Sequence, residues 1–254
     1  MMKLKFVSAL SFAVFASFTL TGQQAKNFGA AVGSNNLQDF TSMQMRESLV
    51  NAIINNAQRP SNTIDLSNIE GSPYYTDNFK KGQLFYKNDL MGSFYLRYNA
   101  FQDQMEIKNS DLAEEQFQFL VQSNDIRTMV DGKEIQYFTF KATDGLQGNS
   151  YFTKEFTGDK YVLYSNMRKK YSPAKASTNS LAQSIPAKFI DDVSVFYGSK
   201  GEASLMAIPK KKKDFLEIFP YNNRPAIKKY IRDKRLRPSN LDHLKSIFIY
   251  AESL

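Results

Sequence analysis

Glu70, Asp77, Asp103, Glu106 and Glu155, among the 25 acidic residues, are this chain's candidates for paired-carboxylate chemistry. Hydrolysis of a glycoside needs one carboxyl to donate a proton and another, at a set distance, to attack or to activate water. A single sequence does not display that distance, so a carboxylate-dependent hydrolase of glycan or lipid stands as an alternative reading. Other catalytic groups are scarcer. There is no cysteine, which excludes thiol chemistry and disulfides together. The single histidine, His243, removes multi-histidine zinc sites and leaves a Ser/His/Asp triad only one base to use. It lies in Ser239-Asn240-Leu241-Asp242-His243-Leu244, a helix start, and reads as a solvent-facing side chain. No Gly-rich phosphate loop, GxSxG elbow, HExxH or EF-hand loop occurs. No cofactor or metal is expected, and the balance leans away from an enzyme.

Two groups of residues suit binding instead. Phe94, Leu96 and Tyr98 alternate with Tyr95, Arg97 and Asn99, and a turn near Phe101-Gln102 sets Met105 and Ile107 opposite Tyr98 and Leu96. Arg97 then faces Glu106, a cross-strand pair worth about 0.2–1 kcal/mol. An exposed Arg97 beside Tyr95 and Asn99 would instead bind an anion, and Tyr95, Arg97 and Tyr98 are the candidate binding residues of this hairpin. The second group is basic: Lys210, Lys211, Lys212 and Lys213, then Lys228, Lys229, Arg232, Lys234, Arg235 and Arg237. Residues 209–245 hold twelve Lys/Arg against four acids, a net +8, whereas the whole chain is also only +8. In an exported protein such a module suits anionic lipid head groups or an acidic envelope protein rather than nucleic acid. The plain alternative is a solvated helical face.

These residues must be positioned by the following elements. Lys3 and Lys5 precede a weakly polar run, 6–20, ending in small residues, the pattern of a signal peptide over 1–22. Leu20-Thr21-Gly22 begins a lipoprotein box, but Gln23 stands where cysteine would carry the lipid. Cleavage before Gln23 or near Ala25 then leaves a periplasmic or secreted protein; an uncleaved anchor is the alternative. No later segment suits a transmembrane helix. Residues 23–62 are a polar lead followed by one helix over 37–57, whose stripe Met45, Leu49, Val50, Ile53, Ile54 and Ala57 needs a sheet or a partner to cover it.

From 63 to 208 the period changes to two. Asp131-Gly132 joins 126–130 to 135–140 as a type I′ hairpin, Thr157-Gly158-Asp159 joins 151–156 to 161–164, and Gly198-Ser199-Lys200-Gly201 joins 193–197 to 204–208. Sequential hairpins predict an antiparallel meander without parallel βαβ units, since the connections lack crossover helices until the chain's end. Residues 112–120 read as either a short helix or a strand, and 170–186 as a long surface loop. Residues 209–254 hold three short helices, with Pro225 opening the second and Ser239 with Asp242 opening the third.

Gly71-Ser72-Pro73-Tyr74, Phe79-Lys80-Lys81-Gly82, Leu96-Arg97-Tyr98-Asn99 with Met105-Glu106-Ile107-Lys108, Pro186-Ala187-Lys188-Phe189 and Lys211-Lys212-Lys213-Asp214 resemble a group of exported, mostly uncharacterised β-rich proteins of Gram-negative bacteria. The resemblance runs over 69–250 and implies export and a β body with C-terminal helices. It carries no activity to transfer. The expectation is an α+β protein: an N-terminal helix, an antiparallel meander curled into a half-barrel or sandwich, and two or three C-terminal helices. Its expected role is non-catalytic binding or scaffolding in the cell envelope, with a purely structural envelope protein as a further alternative.

Overall fold

The computed structural model describes residues 35–55, 69–176, 184–201 and 204–254. The segment expected to be a signal peptide, nearly all of the expected polar lead, Ala57 and part of the 170–186 stretch lie outside the described residues. The chain divides after Phe40; of the first unit only the opening of one helix is described, and everything below belongs to the unit from Thr41.

Helix α1 spans Asn35–Asn55. Its stripe is covered by the sheet of its own chain: Ile53 and Ile54 are buried, with Leu49 and Val50 packed beside them, while Met45 remains exposed. The Val121 amide donates to the Ile53 carbonyl at 3.0 Å, which fixes the helix end against the sheet.

Ten strands form one sheet: β1 Lys80–Tyr86, β2 Asp89–Asn99, β3 Gln104–Lys108, β4 Gln118–Phe119, β5 Ile126–Val130, β6 Lys133–Lys141, β7 Gln147–Thr157, β8 Tyr161–Ser172, β9 Lys188–Ser199 and β10 Ser204–Ala207. Residues 112–120 thus contribute a two-residue strand. The order is β10-β9-β8-β7-β6-β5-β1-β2-β3-β4, two meanders joined where β5 pairs with β1. The expected hairpins form. Asp131 at φ 49° and Gly132 at φ 73° take the two left-handed positions of the β5–β6 turn. β8 and β9 pair from Tyr161↔Ser199 to Ser172↔Lys188, so the long hairpin extends into what reads as loop in the sequence.

The antiparallel meander expected from the hairpins is present, with one pairing beyond it: β10 also pairs in parallel with β6, with Leu205 opposite Phe140. That pairing closes β6 through β10 into a ring. The reason is parity: in an up-and-down meander of five strands the first and last run the same way, so closure makes a parallel seam without any crossover helix. β6 forks to permit this. Its residues 133–136 pair with β5 and its residues 139–141 with β10.

The fork sets three cores on alternate faces. Inside the ring lie Phe138, Phe152, Val162, Tyr164, Phe196 and Leu205, joined by edge-to-face rings such as Phe152–Phe196 at 5.0 Å. The opposite face of β6 and β7 gives Ile135 and Tyr151 to the first core, with Leu84, Leu96, Met105 and Ile107. Leu163 of β8 points into the third core, under the C-terminal helices. Strands β7 and β8 are therefore buried on both faces, which accounts for their runs without polar alternation, Ser150–Thr153 and Val162–Asn166.

Helices α2 Lys212–Leu216, α3 Arg224–Asp233 and α4 Leu241–Glu252 follow, with a 3₁₀ turn at Tyr221–Asn223. Pro225 sits in the first turn of α3, where its missing N–H costs nothing. Asn240, not Ser239, caps α4, its side-chain oxygen accepting from the His243 amide at 3.0 Å. The His243 ring is engaged as well: Nδ1 accepts from the Arg237 amide at 3.0 Å. Phe215, Phe219, Ile227, Ile231, Leu244, Ile247 and Phe248 form the core below these helices. Glu252 then ties α4 to the β7–β8 turn, its carboxylate accepting from the amides of Lys160 at 3.0 Å and Tyr161 at 2.8 Å. Among the described residues no helix is long and apolar enough to cross a membrane.

Candidate functional site

The β2–β3 hairpin carries Arg97 and Glu106 in register, as its spacing predicts. The pair is far from a bare surface contact. Glu106 is only 1% exposed and Arg97 15%, and Oε2 of Glu106 accepts from both Nε (2.8 Å) and Nη2 (2.6 Å) of the guanidinium. Nη1 donates to the Asp77 carbonyl at 3.0 Å and Nη2 also to the Tyr74 hydroxyl at 3.1 Å. The guanidinium carbon lies 3.7 Å from the Tyr74 ring centroid and 4.2 Å from that of Phe79. Arg97 is thus consumed by its own chain, and an external anion would have to displace Glu106. Burial pushes the Glu106 carboxyl above its ordinary range, although the Arg97 hydrogen bonds and charge oppose the shift. Tyr95 is half-buried, opposite Lys108.

Tyr98 faces the other way, into the first core. Its hydroxyl donates to Oδ1 of Asp103 at 2.7 Å, and Asp103 holds a left-handed backbone at φ 58° that lets the carboxylate turn inward. The same oxygen accepts from the Tyr151 amide at 3.2 Å, and Oδ2 pairs with Arg168 of β8 at 2.6 Å. Arg168 further donates to the carbonyls of Ala100 and Phe101. This network locks the β2–β3 turn to the long β8–β9 hairpin. Burial first and the Asp103 charge second push the Tyr98 phenol well above its ordinary value.

Beside Tyr98 the sheet leaves a hollow of about 200 Å³. Leu96, Met105, Ile135 and Thr153 line it together with the Tyr98 ring, and Tyr75 and Lys133 stand at its rim. Behind Leu96 and Val130, which line it, β1 passes between β2 and β5 at Gly82. A Cβ there would lie 2.6 Å from the Met129 carbonyl and 3.0 Å from both Leu96 and Val130, so only glycine admits this approach. Tyr75 is held over the hollow by backbone: its amide donates to the Tyr98 carbonyl at 3.1 Å, and Phe101 donates to the Pro73 carbonyl at 3.0 Å. Lys133 Nζ donates to the Tyr75 hydroxyl at 3.3 Å.

Of the residues singled out in the sequence, Arg97 and Tyr98 border this hollow and Tyr95 does not. The sequence reading missed Tyr75, Lys133, Ile135 and Thr153 as site residues. Lys133 and Ile135 carry a signal in hindsight, since the Asp131-Gly132 turn fixes which way each residue of β6 points; Tyr75 lies in a segment without period. The basic residues Lys210, Lys211, Lys212, Lys213, Lys228, Lys229, Arg232 and Arg235 are all exposed on the C-terminal helices and their connections. They form a surface separate from the residues that line the hollow.

The inner carboxylates are occupied. Glu106 is held by Arg97 and Asp103 by Arg168, while Glu155 accepts from Ser165 at 2.7 Å and pairs with Lys245 at 2.9 Å. Glu70 and Asp77 are exposed. Among the described residues no three His, Asp or Glu side chains gather as a metal site. Fold and site together define an α+β protein built on one ten-stranded sheet, part closed ring and part open, with a hollow lined by residues of the open part and of β6 and β7. Set against known protein families, characterised proteins and solved structures, the chain matches none.

Proposed function

We propose that this chain is a non-catalytic binding protein of the cell envelope, and that its ligand is a small apolar group seated in the hollow beneath Tyr75. The observation that carries this reading is the lining: Leu96, Met105, Ile135 and the Tyr98 ring below, Lys133 and Tyr75 at the mouth. Ligand sites are commonly apolar hollows with a few placed polar groups. Size narrows the ligand. An apolar cavity of about 150 Å³ suffices for benzene, so about 200 Å³ suits one ring or a short alkyl chain rather than a whole phospholipid. Lys133 at the rim suits an anionic end such as a carboxylate. The envelope address rests on the leader pattern in residues 1–22.

A carboxylate-dependent hydrolase draws less support. Glu106, Asp103 and Glu155 are each held in ion pairs, and the one acidic residue among those lining the hollow is Asp131, on the exposed turn.

Octanoate tests the reading. Calorimetric titration is expected to show one saturable site in the wild-type protein. Ile135→Trp, which fills the hollow, is expected to weaken it at least about tenfold, the loss expected when an apolar contact worth about 1.4 kcal/mol is blocked. Lys133→Met is expected to weaken octanoate but not octanol. Absence of saturable binding, or equal binding by Ile135→Trp with an unchanged melting temperature, would overturn the assignment. Native mass spectrometry of protein purified from its own host, before and after organic extraction, then identifies the natural occupant.

A further inference from the structure

Most of the apolar side chains of α2, α3 and α4 are spent on the core. Phe215, Ile227, Ile231, Leu244 and Phe248 are each no more than 4% exposed. These helices and their connections present outward every cation of the module except half-buried Arg224 and Lys245, interspersed with exposed Asp214, Glu217, Asp233 and Asp242 and with Ile249 on α4. Arg232 pairs with Asp233 and Lys245 with Glu155, and Arg224 is taken up by the carbonyls of Phe219 and Glu217. The remaining cations of the module, Lys210–213, Lys228, Lys229, Lys234, Arg235 and Arg237, are exposed, and among the described residues none has a carboxylate partner. On the sheet, Arg97, Arg127, Arg168, Lys154, Lys169 and Lys170 are paired, whereas Lys80, Lys81, Lys108, Lys133, Lys141 and Lys188 make no ion pair among the described residues; the unpaired cations there are scattered over several strands rather than grouped in one stretch of chain.

We propose that this face of the C-terminal helices docks on an anionic phospholipid bilayer. The occupant follows from how the charges are arranged. A single anionic ligand or a matched acidic protein surface is recognised by converging, partly buried donors in fixed geometry. Here every donor is exposed on a long stem, spread over two helices and the segments beside them. That arrangement complements a layer of mobile head-group phosphates, which can shift laterally to meet each cation. Each cation that reaches such a surface strengthens partition about fivefold, and the attraction weakens as salt screens it. Tyr221, 80% exposed in the 3₁₀ turn before α3 and beside the Arg224 guanidinium, is the kind of aromatic that settles at head-group depth. The proposal uses none of the residues of the hollow and stands or falls separately from the ligand assigned there.

Co-sedimentation with vesicles tests it. The wild-type protein is expected to pellet with phosphatidylcholine vesicles containing phosphatidylglycerol, to stay in solution with pure phosphatidylcholine, and to be released by high salt. Lys228→Glu/Lys229→Glu/Lys234→Glu is expected to reduce partition by well over a hundredfold, since the loss of three positive charges alone costs on the order of a hundredfold. A neutral counterpart, the three lysines changed to glutamine, is expected to give an intermediate loss; both variants should keep the wild-type melting temperature, since all three side chains are exposed. No partition onto the anionic vesicles, or partition untouched by the charge reversal, overturns the proposal. So does tighter binding to duplex DNA or to a polyacidic peptide at the same salt, which would assign the face to another polyanion. Failure of octanoate to bind would leave these outcomes unchanged.

Discussion

Arg97→Met is expected to cost about 3–5 kcal/mol of folding stability, because it strands the Glu106 carboxylate in a site where that side chain is only 1% exposed. The penalty comes from the charge left behind rather than from the pair's own worth. Glu106→Gln should therefore be milder than Arg97→Met, and adding Glu106→Gln to Arg97→Met should recover much of the loss. Urea denaturation of the two single variants and the double checks this; a double variant as unstable as the sum of the singles would contradict it. The pH dependence has a definite sign. Burial raises the Glu106 pKa in the folded state above its unfolded value even with Arg97 present. The folded state therefore binds that proton more tightly. Glu106 penalises folding above its raised pKa, and the penalty is relieved as pH falls through it. Removing Arg97 removes the chief opposing influence, so the pKa climbs further. The deficit of Arg97→Met is expected to be smaller near about pH 5 than near about pH 7.

Phe248→Ala is the second large effect, an expected loss of about 3–5 kcal/mol. The ring is fully buried, with Phe219 at 5.3 Å and Tyr161 at 5.4 Å between centroids. It joins α4 to the face of β8 opposite the ring interior. Its loss should also loosen Glu252, whose carboxylate holds the Lys160 and Tyr161 amides. Hydrogen exchange is expected to show those two amides losing protection together with α4, while Leu96 and Ile107 in the first core remain protected. A loss confined to α4, with Lys160 and Tyr161 unchanged, would show that the helix does not support the turn.

The parts of the fold legible in the sequence are the local ones. The Asp131-Gly132 turn requires two residues that accept positive φ, and the structure uses both. The register of Arg97 with Glu106 follows from alternation on either side of a short turn. The stripes of α1, α3 and α4 are set by a period of 3.6 within a dozen residues. Ring closure is not legible, because it depends on three residues of β10 meeting the far half of β6, a pairing without a turn to announce it. The two-sided burial of β7 and β8 is likewise a tertiary fact, visible in Tyr161-Val162-Leu163-Tyr164 only as a run that lacks alternation. Of the site, Arg97 and Tyr98 were found by their hairpin. Their roles were hidden, since Tyr74 and Phe79, which enclose Arg97, and Asp103, which receives the Tyr98 hydroxyl, belong to loops and turns without period.

The forked strand has a consequence for how the molecule is made. Phe140 and Leu205, opposite one another at the seam, are separated by all of β7, β8 and β9. As the chain emerges from its N-terminus, the open part of the sheet has all its strands long before the ring has its fifth. Until Ser204 arrives, the far half of β6 and the free side of β9 are naked edges, each able to template another chain. β10, only four residues long, adds little buried surface of its own. Its larger contribution is to end the interval in which a half-made molecule is sticky.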